Sequence, residues 1–254
     1  MIVLKSRAEI ELMRRASQIV AEILADIKAK VRPGVTTEDL DREAEDLTRR
    51  KGAVPAFKGY VVGGRSFPKT ICISVNDEVV HGIPSKRRIL RDGDVVGLDF
   101  GVVYQGYYGD SAETVGVGRI GPEAQRLIDV TRESLAAGIE AIKPGRHVTD
   151  ISAAVQDVAQ GAGFSVVREF VGHGVGRKLH EDPQVPNYRT GARGPRLEPG
   201  LVLAIEPMIN AGGAEVYVKP DGWTAATRDG RLSAHFEHSV AVTSDGPYIL
   251  SSLE

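Results

Sequence analysis

The sequence predicts a mixed α+β domain assembled from two similar halves. Two Pro-Gly breaks, Pro33-Gly34 and Pro144-Gly145, stand 111 residues apart, and so do Gly52 and Gly163. Each break separates two stretches of helical periodicity. Beyond the helices, Leu90–Asp99 and Leu197–Glu206 share the frame Leu-x-x-Gly-x-Val-x-x-apolar-acid, which makes Asp99 and Glu206 counterparts. Unrelated αβ segments with common turn residues are the competing explanation. A duplicated helix–helix–strand unit accounts for all three observations, and it predicts one domain over 1–254 with half-repeats of about 6–120 and 121–250.

Ser6-Arg7-Ala8-Glu9 is a capping-box pattern, in which a hydroxyl and a carboxylate each satisfy an unpaired backbone N–H, so a helix follows it. Ile10, Met13, Ile19, Val20, Ile23, Leu24 and Ile27 fall on one face of that helix, and Pro33-Gly34 stops it. A shorter helix is expected from about Thr37 to Arg50. In the second half Pro122 opens a helix carrying Leu127, Ile128, Leu135, Ile139 and Ile142, and Thr149 to about Gln160 forms another. Gly97–Thr114 reads as a hairpin turning at Tyr104-Gln105-Gly106, with Asp99 on one arm and Asp110 on the other. A turn at Tyr104-Gln105 sets the two acids directly opposite; a turn one residue later makes them diagonal neighbours. More weakly, His81-Gly-Ile-Pro84 parallels His180-Glu-Asp-Pro183.

The 254 residues suffice for a substantial core. Lys+Arg 32 against Asp+Glu 34 gives a net charge of −2, and no basic run exceeds Lys86-Arg87-Arg88, so no nucleic-acid site is expected. Cys72 is the single cysteine, which precludes an intrachain disulfide and fits a reducing compartment. The N-terminus turns polar within five residues and no 18-residue apolar run exists. The expectation is a cytoplasmic protein with no membrane partner.

Four acids interrupt apolar strand-like runs: Asp99 in VVGLDFGVV, Asp110 in YYGDSAET, Glu206 in LVLAIEPMI and Glu237 in HFEHSVAVT. A buried carboxylate needs a cation, a raised pKa or a metal. Separate ion pairs are the bland alternative, but no Lys or Arg lies within these runs. His173, between glycines in VGHGVG, adds a ligand type, although a lone histidine there is more often a hydrogen-bonded loop residue. One histidine with several carboxylates is a hard, oxygen-rich set suited to a pair of divalent ions such as Mn, Fe, Co or Zn. Neither His-Glu-x-x-His nor Gly-x-Ser-x-Gly occurs, and Gly172-His-Gly-Val-Gly176 does not continue as Gly-x-Gly-x-x-Gly into a helix, so a dinucleotide loop is not supported there.

Six ordered motifs extend this reading: Ser74-Val-Asn-Asp-Glu-Val-Val-His-Gly-Ile-Pro84; Asp92-Gly-Asp with Leu98-Asp-Phe-Gly-Val; Gly109-Asp-Ser-Ala-Glu-Thr114; Gly172-His-Gly-Val-Gly176 with His180-Glu-Asp-Pro183; Ile205-Glu-Pro-Met208; and Phe236-Glu-His238. With these the chain resembles type I methionine aminopeptidases from about Ser6 to Leu250. The resemblance implies the pita-bread fold, with two pseudo-symmetric halves and a central curved antiparallel sheet covered by helices. It implies a dinuclear centre held by Asp99, Asp110, His173, Glu206 and Glu237, with Asp110 and Glu237 bridging. Glu206 would also carry a proton, His180 would stabilise the oxyanion and His81 would contact the scissile amide. Tyr60, Phe67, Cys72 and Trp223 would line a methionine pocket, although burial alone accounts equally well for Cys72. The implied substrates are nascent polypeptide N-termini with a small second residue. The expected enzyme is a monomer with transient ribosome association.

The sequence departs from many bacterial relatives in three places. The segment 59–68 is about four residues longer, Leu179 replaces an aromatic and His235 replaces a Gln. An Xaa-Pro aminopeptidase or prolidase would share the five ligands but usually carries a large preceding domain. A non-catalytic pita-bread binding protein would typically have lost ligands. Only 26 positions separate His180 from Glu206, which leaves no room for the helical insertion of type II enzymes.

Overall fold

The computed structural model describes residues 1–253. Helix α1 spans Arg7–Lys28 and begins at the expected cap: the Ser6 hydroxyl accepts from Glu9 N, and Ser6 N donates to the Glu9 carboxylate at 2.9 Å. Helix α2, Thr37–Arg50, is capped in the same way by Thr36 and Asp39. Helices α3 (Pro122–Glu140) and α4 (Val148–Gly161) repeat the arrangement, with α4 one residue longer at each end than its periodicity predicts.

The sequence echo extends to main-chain hydrogen bonds. Gly34 N donates to Leu90 O at 2.8 Å, and Gly145 N donates to Leu197 O at 3.2 Å. Thr36 bridges to Ile89, and His147, its counterpart 111 positions on, bridges to Arg196. Gly34 and Gly145 have φ of 88° and 83°, a conformation that penalises any Cβ, which is why both helix pairs turn on glycine.

Seven strands build the centre: β1 Cys72–Val75, β2 Val95–Tyr104, β3 Tyr107–Gly116, β4 Gly172–Gly174, β5 Glu181–Val185, β6 Val202–Ile205 and β7 Glu237–Thr243. They run antiparallel in the order β2-β3-β7-β6-β4-β5, with β1 also on β2 and short flanking strands completing a nine-stranded sheet. The two halves meet at β3 and β7, which pair only through Glu237 with Ala112 and His238 with Ser111. Three hydroxyls reinforce that seam. Ser111 Oγ donates to Glu237 O at 2.7 Å, Ser239 Oγ to Asp110 O at 2.8 Å, and Thr114 Oγ1 to His235 O at 2.7 Å.

Strand alternation divides the helix-covered face from the site face. Val96, Leu98, Phe100 and Val102 of β2 pack with Val20, Ile23, Leu24 and Ile27 of α1, each buried apolar side chain contributing about 1.5–3 kcal/mol. Leu203 and Ile205 of β6 pack with Ile139 of α3 and Ile151 of α4. Asp99 lies between Leu98 and Phe100, and Glu206 follows Ile205. The period of two therefore turns both acids away from the helices, towards the inner face. On β3 the order inverts: Gly109 lies against α1, where a Cβ would stand 2.5 Å from Ser17 N and 2.6 Å from Ala16 C, while Asp110 faces inward.

The hairpin settles the two registers left open above. Tyr104 pairs with Tyr107, so Gln105 and Gly106, both at positive φ, make the turn. Asp99 therefore faces Ala112, and Asp110 faces Gly101. The two acids are diagonal neighbours rather than directly opposed. Gly101 leaves room for this, because a Cβ there would lie 3.2 Å from Asp110 Oδ1.

Candidate metal centre

The inner face gathers every acid that interrupted an apolar run. Asp110, His173 and Glu237 are buried and each offers a ligand atom, all within 4.8 Å of one another. Glu206 approaches His173 within the second half, with Oε1 3.4 Å from Nε2, and Asp110 Oδ2, from the first half, lies 4.0 Å from the same nitrogen. Asp99 completes the group on β2, close enough for its charge to act on both Asp110 and Glu237.

Electrostatics follow from burial and crowding. Desolvation raises Asp99 to about 7 and Glu206 to about 8. Asp110 and Glu237 are pushed well up, first by burial and then by the neighbouring carboxylates. No lysine or arginine figures among the charges acting on these four acids; the cationic influence on Asp99 is His235. Burial lowers His173 to about 3, so its imidazole is neutral near pH 7. Its Nδ1 meets Gly174 O at 2.9 Å, a contact that needs the proton on Nδ1 and leaves the Nε2 lone pair aimed at the acids.

Two buried oxygens in this cluster, Asp110 Oδ1 and Glu237 Oε1, have no hydrogen-bond partner among the described residues. Orphaned carboxylate oxygens cost stability, and a dication satisfies them where no proton donor does. The donor set of four carboxylates and one neutral imidazole fits a hard or borderline divalent ion.

Beside the acids lies a cavity of about 280 Å³, onto which all five open. His81 and His180 line the same space. His81 adopts φ 60°, a strained conformation for a residue with a Cβ, and its ring meets Phe170 edge-on at 5.4 Å. Close approach of backbone fixes this bend: a Cβ on Gly82 would fall 2.2 Å from Ile73 O. His180 reaches solvent through the mouth. Its ring stacks at a tilt 4.3 Å from His173, and its Nδ1 is 2.7 Å from the Tyr60 hydroxyl. Desolvation lowers the pKa of both, His81 to about 4. The weak parallel between them has a geometric basis. Ser74 pairs with Gly97 and His173 with Ala204, which are equivalent positions, and His81 and His180 each follow seven residues later.

Tyr60, Phe67, Cys72 and Trp223 line the apolar end of the cavity. Phe67 and Trp223 meet edge-on at 5.2 Å. Cys72 pairs with Asp99 across the sheet, and its thiol pKa is raised by burial, so it acts as a small neutral hydrophobe.

Sequence reasoning missed Phe57, Val62 and the placement of His235. Phe57 enters because Ala56 N donates to Gly101 O at 2.9 Å, which sets the next residue beside the glycine that accommodates Asp110. Val62 enters because the long segment folds as a hairpin, Val61–Val62 against Arg65–Ser66, around Gly63-Gly64 at φ 56° and 80°. The Gly-Gly pair directly after Val61-Val62 was a readable hairpin signal. His235 is buried at the seam, with Nε2 3.6 Å from Glu206 Oε2. Its main-chain N–H donates to Thr114 Oγ1 at 2.8 Å.

The model of metallopeptidase family M24 matches residues 11–244. The methionine aminopeptidase of Clostridium acetobutylicum is 49% identical over 254 residues, covering 100% of both chains. Methionine aminopeptidase 1 of Bacillus subtilis is 48% identical over 99% of both. The crystal structure of a methionine aminopeptidase from Thermotoga maritima superposes with a TM-score of 0.95 at 45% identity, covering 99% of this chain and 100% of that one. The prolidase of Pyrococcus horikoshii, at 23% identity and a TM-score of 0.79, shares the fold, and this chain covers 65% of it.

Proposed function

The chain belongs to metallopeptidase family M24, and from that membership we propose that it is a methionine aminopeptidase, releasing the N-terminal methionine of peptides and nascent polypeptides with a small second residue. The observation that carries this reading is the single cavity in which a five-residue donor set adjoins an apolar end bounded by Phe67 and Trp223. An uncharged thioether suits that end, and the free amine of a chain terminus suits the metal end.

Asp99, Asp110, His173, Glu206 and Glu237 would hold two divalent ions of Mn, Fe, Co or Zn. Bound there, such ions polarise a carbonyl and supply a nucleophilic water at neutral pH. The chain's own residues then manage protons and orientation. Hydrolysis moves one proton from the attacking water to the departing amine, and Glu206 faces the cavity with a carboxylate able to carry it. The Tyr60 hydroxyl lies within hydrogen-bond distance of His180 Nδ1, and by donating there it would keep the His180 proton on Nε2, the end free to donate to a developing oxyanion. His81, neutral and rigidly held, positions the scissile amide. Phe57, Val62 and Leu179 complete the lining of the cavity. The enzyme is proposed to act as a cytoplasmic monomer on chains emerging from the ribosome; among the described residues no helix is long and apolar enough to cross a membrane.

The test is turnover of Met-Ala-Ser against Ala-Pro-Ala by protein reconstituted separately with each metal. The methionyl peptide should be cleaved faster with at least one ion. Faster cleavage of the proline peptide would replace this reading with an Xaa-Pro peptidase, and no binding of any of the four ions after dialysis would remove catalysis altogether.

A further inference from the structure

Lys5 is buried although it precedes the first helix. Its side chain is 3% exposed and its Nζ lies 2.7 Å from Glu181 Oε2, itself on a side chain only 12% exposed. The lysine is fixed at both ends, since Lys5 N donates to Gly200 O at 2.7 Å and Nζ donates to Val3 O at 3.0 Å. Glu181 is equally constrained. Its other oxygen accepts from Arg177 N at 2.8 Å and Lys178 N at 3.1 Å, closing the turn that leads into His180. The backbone makes room for the pair: a Cβ on Gly176 would meet Glu181 Oε1 at 2.6 Å and Lys5 Cε at 2.7 Å. Met1 and Val3 continue along a groove that also borders His173 and His180.

An ion pair withdrawn from water to this degree is stabilising only when its geometry is saturated, and here every oxygen of Glu181 is engaged. The residue it fixes is adjacent in sequence to His180, whose ring has solvent on one side. We propose that Lys5 and Glu181 are positioning residues: the segment before α1 clamps the Gly176–Glu181 turn from behind and holds His180 against Tyr60 and His173. This deepens the functional reading above, because the role of His180 rests on it. It makes the leading segment part of the site rather than a lead-in to α1.

The decisive experiment is a double-mutant cycle. Lys5→Met should lower kcat on Met-Ala-Ser about tenfold, with KM within about twofold and the bound Mn content after dialysis unchanged. Lys5→Arg should recover most of kcat. In a His180→Ala background, which itself lowers turnover while sparing metal binding, Lys5→Met should cost less than about twofold, because its effect runs through the missing ring. Equal losses in the two backgrounds would overturn the proposal. Because a lone buried Glu181 could unfold the protein, the pair Lys5→Met with Glu181→Gln removes both charges while an amide oxygen still accepts from Arg177 N and Lys178 N. It should retain the melting temperature yet show the same loss of kcat, and wild-type kcat there would refute the role. Should the wild type cleave no methionyl peptide, the functional reading fails, and the clamp is read from the His180 ring resonances of 15N-histidine-labelled protein. These should shift in Lys5→Met and return in Lys5→Arg; unshifted resonances would overturn the clamp independently of activity.

Discussion

Metal binding at this site should be a proton-exchange reaction, and the structure gives its size. With Asp99 at about 7 and Glu206 at about 8, both carboxyls of demetallated protein are largely protonated at pH 6, whereas His173 at about 3 carries no competing proton. Each ligand must shed its proton to bind. Competition from these two alone weakens affinity roughly 10³-fold at pH 6 and only about twofold at pH 8, a change on the order of 3–4 kcal/mol between the two. Asp110 and Glu237, raised further, add to the release. The four acids titrate as a group, so the measurable quantity is their combined proton count. Isothermal titration of EDTA-treated, dialysed protein with Mn, in buffers of different ionisation enthalpy, reads that count directly. At pH 6 at least about two protons should leave on saturation, and the apparent affinity should climb by two to three orders of magnitude between pH 6 and 8. Heats independent of buffer, with one affinity across that range, would mean that the acids are already ionised and that the reasoning from burial is wrong.

Further outcomes follow from the same geometry. Demetallated protein should lose stability as pH rises from about 7.5 through 8.5. In that window histidines are neutral in both states, while Asp99 and Glu206, raised in the folded state, forgo ionisation that the unfolded chain enjoys; melting scans with and without EDTA check the sign. Glu206→Gln should lower kcat by about 10²–10⁴ while leaving the circular dichroism spectrum intact, since it removes a proton carrier and a ligand charge; turnover within threefold of wild type would exclude the role. Gly109→Ala should destabilise by about 2–3 kcal/mol, measured as a fall in the urea midpoint, because its methyl meets main-chain atoms of α1 that cannot swing aside.

Much of this molecule is legible in its sequence because its signals are local or repeated. Capping boxes, Pro-Gly stops and the shared strand frame exposed both helix pairs and the Asp99–Glu206 correspondence. Acids embedded in apolar runs exposed the donor set, since burying a carboxylate demands a partner wherever it happens. What stayed hidden depends on register and on contacts between distant segments. The hairpin pattern allowed two pairings of Asp99 and Asp110, and positive φ at Gln105 and Gly106 decided between them. His235 reaches Glu206 only because the seam brings its strand beside Thr114. Lys5 and Glu181 lie 176 positions apart, and no periodicity joins them.

The seam gives the centre a mechanical character. Ser111 of one half grips the main-chain carbonyl of Glu237 in the other, and Ser239 reciprocates at Asp110, while the strands themselves pair over only two positions. Each half thus fixes the backbone of an acid of the cluster that belongs to its neighbour. A displacement of one half against the other would change the gap between those carboxylates. On the proposed metal reading that gap is where a cation would sit, so three hydroxyl contacts at the seam, rather than the ladder itself, would hold its width.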